Sequence, residues 1–217
     1  GVKSLWLDNR LRFNAAAFYT EIDDYQFFNF YAGPFGILRV VNNIDEVEIY
    51  GAEFDFAWAV HDYVTLSGGY GLIDTEIKEN KNRAYTEGND VPYAPESSGA
   101  LSLDFKMPVW TEMEFVSRLD YEYVGETWFH SVQNDTTENI FSGAAGLSNF
   151  GNQKRDDYWR MNLRAGIAGE NRSIMAWSQN VTDEDYLEEV IPAPEFGGSF
   201  VHNTPGRVSG VDFTYNF

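Results

Sequence analysis

An all-β, antiparallel transmembrane barrel wall is the fold class this sequence predicts, on three observations. The last eleven residues, Arg207 to Phe217, alternate between an apolar, mostly aromatic set (Val211, Phe213, Tyr215, Phe217) and a small or polar set (Gly210, Asp212, Thr214, Asn216). A strand has a side-chain period of two, so such a segment holds one face against hydrocarbon and the other in water. A soluble sandwich would show Val, Ile and Leu on its apolar face, whereas aromatics at a strand end suit an interfacial girdle. Second, the connections between alternating segments are short and long in turn. Third, 17% of residues are aromatic and 43% hydrophobic, yet the mean hydropathy is negative. No stretch approaches the roughly 20 apolar residues of a membrane helix. Barrel strands escape that test because only alternate residues face lipid.

The elements follow in order. Val2, Ser4 and Trp6 alternate with Lys3, Leu5 and Leu7; Asp8-Asn9 turns the chain into Leu11, Phe13, Ala15, Ala17 and Tyr19. Residues 32–36, Ala-Gly-Pro-Phe-Gly, read as a loop. Tyr50, Ala52, Phe54, Phe56 and Trp58 oppose Gly51, Glu53 and Asp55, and a short turn near His61 leads into Val64, Leu66, Gly68, Tyr70 and Leu72. A polar stretch from Glu76 to Pro92 reads as a long loop. Alternation resumes at Leu101, Leu103, Phe105 and Met107, turns near residue 109, and returns through Met113, Phe115, Leu119, Tyr121 and Tyr123. A second long loop runs from Trp128 to Arg155. Trp159, Met161, Leu163, Ala165 and Ile167 form the next apolar face, followed by a turn near residue 170 and a poorly alternating strand, Ser173 to Asn180. Val181 to Pro205 is the last long loop.

About nine strands result. Placing Phe217 on the periplasmic side makes all the short turns periplasmic and all the long loops extracellular, the asymmetry of an up-and-down membrane barrel. Nine is odd, and with alternating directions the first and last strands run the same way and cannot close a ring antiparallel. An open edge in hydrocarbon leaves backbone groups unpaired at several kcal/mol each. The chain is therefore expected to be the C-terminal portion, 1–217, of a larger barrel. No basic n-region or apolar h-region precedes the first strand, so processing or truncation is expected for an envelope protein.

Charge and composition narrow the function. With 15 Lys+Arg against 34 Asp+Glu, a formal net charge of −19, nucleic acid is excluded as a partner because phosphate would be repelled. The absence of cysteine removes disulfides, thiol catalysis and Cys-based metal sites. His61, His130 and His202 lie in different connections with no metal-ligand spacing, so neither a metal site nor a cofactor is expected. Parity alone assigns Glu53, Asp55, Asp104, Glu112, Glu114, Arg118, Asp120, Glu122, Arg160, Arg164 and Asp212 to the lumen side. Arg118 with Asp120 or Glu122 is a candidate lateral ion pair, and Arg160 and Arg164 are candidates for others. A one-residue slip or bulge would reverse any of these placements.

Several segments resemble the C-terminal barrel of TonB-dependent outer-membrane receptors. Asn180-Val-Thr-Asp-Glu-Asp-Tyr-Leu187 resembles the family's motif ahead of its last extracellular loop, and Thr204-Pro-Gly-Arg207 with a strand ending in Phe217 resembles its C-terminus. Gly1-Val-Lys-Ser4, Trp6 to Ala17, Ile49-Tyr-Gly-Ala-Glu53 and Val91-Pro-Tyr-Ala-Pro-Glu96 recur in the family's order, so the similarity covers essentially the whole chain. The resemblance implies a 22-stranded barrel of which this chain is about the last nine strands, in the outer membrane of a Gram-negative bacterium and in contact with outer-membrane lipid. It also implies an N-terminal plug and TonB box, both absent here, that engage a TonB-type energy-coupling protein. The terminal Phe217 would be the assembly signal for barrel insertion.

The function so implied is energised uptake of a scarce, bulky small-molecule or oligosaccharide ligand: siderophore-iron, vitamin, haem or glycan. Receptors need concave, partly aromatic surfaces with a few convergent polar groups. Trp128, Phe129, His130 and Phe150 in the second long loop, with Phe196, Phe200 and His202 in the last, are the contact candidates; loop self-packing, or for Trp128 and Phe129 an aromatic girdle at the outer membrane interface, is the competing explanation. A passive porin is the alternative. An outer-membrane hydrolase built on His130 or His202 with Ser131 and Asp135 is a more distant one, and no catalytic residue is expected.

Overall fold

The computed structural model describes residues 1–33, 36–134, 136–137, 146–151, 153–193 and 198–217. Its strands are β1 (Val2–Trp6), β2 (Leu11–Gly33), β3 (Gly36–His61), β4 (Val64–Glu79), β5 (Ser97–Trp110), β6 (Met113–Val124), β7 (Thr127–Trp128), β8 (Thr136–Thr137), β9 (Ser148–Asn149), β10 (Lys154–Arg155), β11 (Tyr158–Gly169), β12 (Arg172–Gln179), β13 (Leu187–Ala193), β14 (Gly198–Asn203) and β15 (Val208–Tyr215). Nine of them form one sheet in the order β1-β2-β3-β4-β5-β6-β11-β12-β15, every neighbour antiparallel. The sheet is not closed: β1 and β15 are its edges and run in the same direction. No helix among the described residues is long and apolar enough to cross a membrane, which is no obstacle to a chain that crosses with strands.

Within the apolar band, register carries the sequence alternation from strand to strand; the shifts in the ladders fall near strand ends, at Glu46/Val47, Ala59/His61 and Pro108/Trp110. Leu11, Trp58, Leu66, Leu103, Leu119 and Leu163 occupy successive partners in one row; Phe13, Phe56, Gly68, Leu101, Tyr121 and Met161 occupy the next-but-one row on the same face. The apolar band spans Leu11 to Tyr19 on β2 and Trp159 to Ile167 on β11. Nine residues at about 3.3 Å each match the 9–11 residues that a tilted strand needs to cross hydrocarbon. Large apolar side chains on this face stand in the open, among them Leu163 (44% exposed), Ile174 (51%) and Phe213 (73%). A patch of this extent belongs against lipid, not water. Its two ends carry the rings: Trp6, Trp58, Tyr63 and Trp110 toward the short turns, and the Tyr19–Tyr50 pair (4.8 Å) and stacked Tyr121–Trp159 pair (5.7 Å) toward the loops. Phe217 lies past β15, edge-on to Tyr215 at 5.1 Å.

The rows slope. Leu11, at the turn end of β2, shares its row with Leu163 in the middle of β11 and with Ser209 at the loop end of β15. A stagger of about six residues over seven strand steps is what strand tilt imposes on a sheet that curves into a barrel.

The short turns at residues 7–10, 62–63, 111–112 and 170–171 lie at one end. In the first, Leu7, Asp8 and Asn9 all have positive φ (54°, 54° and 68°), a conformation Asp and Asn tolerate well, and the Arg10 amide donates to the Leu7 carbonyl at 3.1 Å. Glu112 is corrected here: it sits in a turn, not on a strand face, because β5 continues to Trp110 and pushes the reversal two residues on.

At the other end the structure exceeds the sequence reading. β2 and β3 continue as a ladder to Gly33 and Gly36, well beyond the apolar band. The ladder skips the Asp24–Asp45 pair, where Asp24 has φ 56°. Asn43 donates to the Asp24 carboxylate (3.1 Å) and the Lys81 amide to that of Asp45 (2.7 Å), fixing the kink. Above it Phe27 and Ile44, whose parity matches lipid-facing Tyr19 and Tyr50, are instead buried with Val47, Ile77 and Val91. The hairpin thus folds its face inward over the loops. The last two long connections, read as loops from the sequence, contain small ladders of their own: β7 with β10, β8 with β9, and β13 with β14.

Candidate functional site

The charged face of the sheet is built by strict alternation, so its side chains stand in a regular grid. Arg118 on β6 is held by Asp104 on β5 (3.0 Å), by Asp120 two residues along its own strand (2.7 Å) and by the Ser102 hydroxyl (2.9 Å). One step toward the loops, Arg160 on β11 reaches Glu122 on β6 at 2.6 Å and donates to the Tyr186 hydroxyl at 3.2 Å. Lys106 pairs with Glu114 at 2.8 Å, and Asp55 accepts from Asn14 (2.9 Å) with Arg12 at 3.6 Å. Register puts Glu53, Asp55, Asp104, Glu114, Arg118, Asp120, Glu122, Arg160, Arg164 and Asp212 on this one face. It is hollowed between side chains. One recess, about 950 Å³, lies over small residues of β4 and β5 (Gly69, Gly71, Ser98, Ala100) between Glu53 and Glu122.

Small residues make room where large neighbours cross the face. A Cβ at Gly51 would run into the Phe18 ring, and one at Gly210 into the Trp177 indole.

Above the wall, the long connections pack into a layer with its own core. Phe129, His130 and Phe150 are all but fully buried. His130 stacks on Phe150 at 4.7 Å and meets Phe27 of the β2 extension edge-on at 5.6 Å; Phe129 meets Tyr93 at 5.3 Å. The loop between β4 and β5 is cross-tied to the one after β6. Asn89 donates to the Ser131 carbonyl (2.8 Å), and the Gln133 amide group donates to the Asp90 carbonyl (2.7 Å) and accepts from the Asp90 amide (3.1 Å). His130 Nδ1 accepts the Val132 amide at 3.0 Å, which fixes the tautomer with the proton on Nε2. Burial, and then the nearby Arg83 charge, press its pKa down to about 3. Burial, with Glu96 and Asp74 nearby, raises that of Asp90.

The two segments that carry the family resemblance at the C-terminal end touch one another. Asn180 and Asp183 have positive φ (48° and 58°). The Asn180 side chain closes a loop on Glu184, donating to its carbonyl (2.8 Å) and accepting its amide (2.9 Å). Asp183 accepts the Arg207 amide at 2.7 Å, and the Thr204 amide donates to the Tyr186 carbonyl at 3.0 Å. Tyr186 stacks face to face on Tyr158 at 3.6 Å. The start of β15, the base of the last loop and the Arg160–Glu122 pair are thereby clasped together.

The contact candidates divide. Phe129, His130 and Phe150 lie inside the loop layer, where they present no surface to a ligand; packing against Phe27 and Tyr93 consumes them. Trp128 is half-buried, with the Lys154 ammonium 5.5 Å from its ring centre. Phe200 (62% exposed) and His202 lie on β14, with His202 Nδ1 3.4 Å from Glu188. Phe196 lies outside the described residues, as does Asp135. Sequence reasoning missed Tyr158, Tyr186 and Arg155, whose guanidinium lies 4.7 Å from the Tyr158 ring centre. It also missed a carboxylate group, Glu21, Glu46 and Glu48, at the loop side of the lipid-facing band, where the Tyr19 hydroxyl shares its one proton between Glu21 (3.0 Å) and Glu48 (2.9 Å) and Lys78 lies 3.6 Å from Glu48.

An open antiparallel wall, apolar and ringed by aromatics on one side, charged on the other and capped at one end by folded loops, defines the class: an outer-membrane β-barrel protein. The family model described as TonB dependent receptor-like, beta-barrel matches residues 1–181, and the chain belongs to that family. Among solved structures, the ferric yersiniabactin uptake receptor FyuA from Yersinia pestis is 16% identical with a TM-score of 0.74 over 99% of this chain. The siderophore receptor PiuA from Acinetobacter baumannii is 17% identical (TM-score 0.68, 98% of this chain), and the ferripyoverdine receptor of Pseudomonas aeruginosa 15% identical (TM-score 0.65, 99%). At these identities the likeness is one of fold. The chain spans 29%, 27% and 26% of their respective lengths.

Proposed function

We propose that this chain is the C-terminal portion of an outer-membrane receptor that takes up a scarce, bulky ligand by TonB-type energy coupling. The observation that carries the reading is the two-sided wall: one face predominantly apolar across nine strands, the other charged and recessed, with an ordered loop layer at one end. In this reading the charged face lines the lumen, and Glu53, Asp55, Asp104, Glu114, Arg118, Asp120, Glu122, Arg160, Arg164 and Asp212 are lumenal. The loop layer is extracellular. Ligand contact falls to its exposed groups, Phe200 and His202 on β14 and Trp128 on β7, while Phe129, His130 and Phe150 hold the layer in shape. Phe217 serves barrel assembly. Siderophore-iron is the first ligand class to test, since the neighbours named above are siderophore receptors.

The test is growth of a strain lacking the full-length gene, under iron limitation, on a panel of ferric chelates, haem, cobalamin and oligosaccharides. Loss of growth on one member, restored by the gene only when the energy-coupling protein is intact, is the expected result. Restoration that does not require coupling would make the protein a passive pore and overturn the reading.

A further inference from the structure

Tyr186 joins the last loop to the charged face of the wall. Its ring lies flat on that of Tyr158, at the loop end of β11, with 3.6 Å between centres and 12° between planes. Its hydroxyl accepts from Arg160 Nη1 at 3.2 Å, two residues down the same strand and on the same face. Arg160 is aimed in turn by Glu122, its direct partner on β6, whose carboxylate accepts from Nε at 2.6 Å. A guanidinium holds its donors in one rigid plane, so fixing Nε also fixes where Nη1 points. Without the carboxylate the side chain regains its rotamers and loses that aim. At its other end Tyr186 anchors the foot of the β13–β14 hairpin. Its carbonyl accepts the Thr204 amide at 3.0 Å, and the carbonyl of the next residue, Leu187, accepts from Arg155 at 3.2 Å. The hairpin ladder shifts register between Leu187 and Glu189, next to the pairs that carry His202 and Phe200. Glu122 also borders the recess of about 950 Å³, directly across from Ala100 on β5. Of the described side chains around that hollow, Glu53, Asp55 and Glu122 are acidic and Lys3 alone is basic.

We propose that Glu122 is a positioning residue for the β13–β14 hairpin, acting through Arg160 and Tyr186, and that a cationic group entering the recess slackens the hairpin by drawing Glu122 away. The inference rests on the reading that Phe200 and His202 contact ligand. Every link from Glu122 to the hairpin foot is a direct contact, and Glu122 is the member that faces both the recess and the chain of contacts. The acid excess around the recess favours a cation there over an anion. Charge-assisted hydrogen bonds are the strong ones, so a cation placed beside Glu122 competes with Arg160 for the carboxylate. The coupling is reciprocal by linkage: a hairpin held in place keeps Arg160 on Glu122 and weakens the recess for a cation. Two other ties come from neighbouring connections, the Tyr93 hydroxyl to the Val190 carbonyl at 3.2 Å and the Gln153 amide group to the Ser199 hydroxyl. They do not pass through the charged face, so they retain the hairpin when its foot is released.

The experiment is hydrogen exchange on the full-length receptor, read at the Thr204 amide and at residues 187–190. Glu122→Ala should speed exchange there by roughly tenfold or more, the loss of one charge-assisted contact, and Glu122→Gln, which keeps a neutral acceptor for Arg160, by less. Ala100→Lys removes no contact and sets an ammonium across from Glu122. It should give the same acceleration when Glu122 is present and none beyond that of Glu122→Ala when it is not. Tyr186→Phe keeps the stack on Tyr158 but loses the hydroxyl, so exchange should rise once and then ignore all three changes. Tyr93→Phe cuts a tie outside the charged face and should leave the response to Ala100→Lys intact. Unchanged Thr204 exchange in Glu122→Ala or Ala100→Lys would overturn the proposal, as would a response that survives Tyr186→Phe. Acceleration that spreads to the ladder amides of β6 and β11 would make Glu122 a residue of wall stability and also sink it. Uptake is scored separately: the exchange coupling without energised uptake keeps the positioning role and removes the transport reading.

Discussion

The wall and the loop layer are ordered by opposite means. On the wall little is buried: apolar side chains point outward, charged ones inward, and continuous backbone ladders hold the strands, with Ser102 buried on the charged face. In the loop layer the buried set looks like the interior of a small soluble protein, with Phe27, Ile44, Val47, Ile77, Phe129, Val132, Phe150 and Val190 inside and His130, Thr86, Asn80 and Gln133 hydrogen-bonded among them. Lipid supplies the wall's apolar partner, so the wall needs no core; water surrounds the loops, so they must make one.

Substitutions separate the two regimes, beginning with the largest expected effect. Phe129→Ala removes a fully buried ring and should cost about 3–5 kcal/mol, confined to the loop layer. Hydrogen exchange should rise at residues 86–93 and 127–133 while the ladder amides of β5, β6 and β11 keep their protection; loss of protection in both would mean the two regions unfold as one. Leu163→Arg is the reverse case. At the middle of the apolar band it should cost about 2–4 kcal/mol, read by denaturant unfolding in lipid vesicles, with loop exchange unaltered until the wall goes.

Next comes acid. His130 folds as the neutral base with its pKa pressed to about 3, whereas an unfolded histidine takes up a proton near 6.5. Between those values the unfolded layer binds more protons than the folded one, so stability rises with pH and is lost as pH falls below 6.5. The slope is about 1.4 kcal/mol per pH unit. Exchange in the loop layer, not in the wall, should show it, and His130→Phe should flatten it. The smallest effect sharpens the boundary between the regions: Asp183→Ala removes the carboxylate that accepts the Arg207 amide and should cost about 1 kcal/mol, seen as faster exchange at Arg207 and Thr204 with little change beyond Ser209.

What the sequence could and could not disclose follows the same division. A strand between oil and water writes its environment into every second residue, so the nine wall strands, their short turns and the charged face could be read by parity, and register keeps that parity across all of them. Parity failed where the chain left the membrane. Phe27 and Ile44 have the phase of lipid-facing residues, but the left-handed Asp24 redirects the hairpin above it, and a single φ has no periodic signature. Phe129, His130 and Phe150 look like a ligand-contact cluster because exposed and buried aromatics are the same residues in a sequence without periodicity. Their partners, Phe27 and Tyr93, come from other connections. The positive φ of Asn180 and Asp183 was a legible hint, since Asn and Asp are the residues that adopt it most readily, but their link to Arg207 was not.

That link also has a consequence for how the chain reaches its final state. Pairing β15 directly with β12 would join Gln179 to Val208 across a long unstructured connection and pay its closure entropy before any ladder bond repaid it. The β13–β14 hairpin can form first from local contacts, Leu187 meeting Asn203. The Thr204–Tyr186 bond extends it by one step, the Asp183–Arg207 bond by a few residues more, and Gln179 then meets Val208 with most of the intervening chain already ordered. The clasp turns one distant closure into a zipper of short ones, so the last strand arrives at the wall already in register.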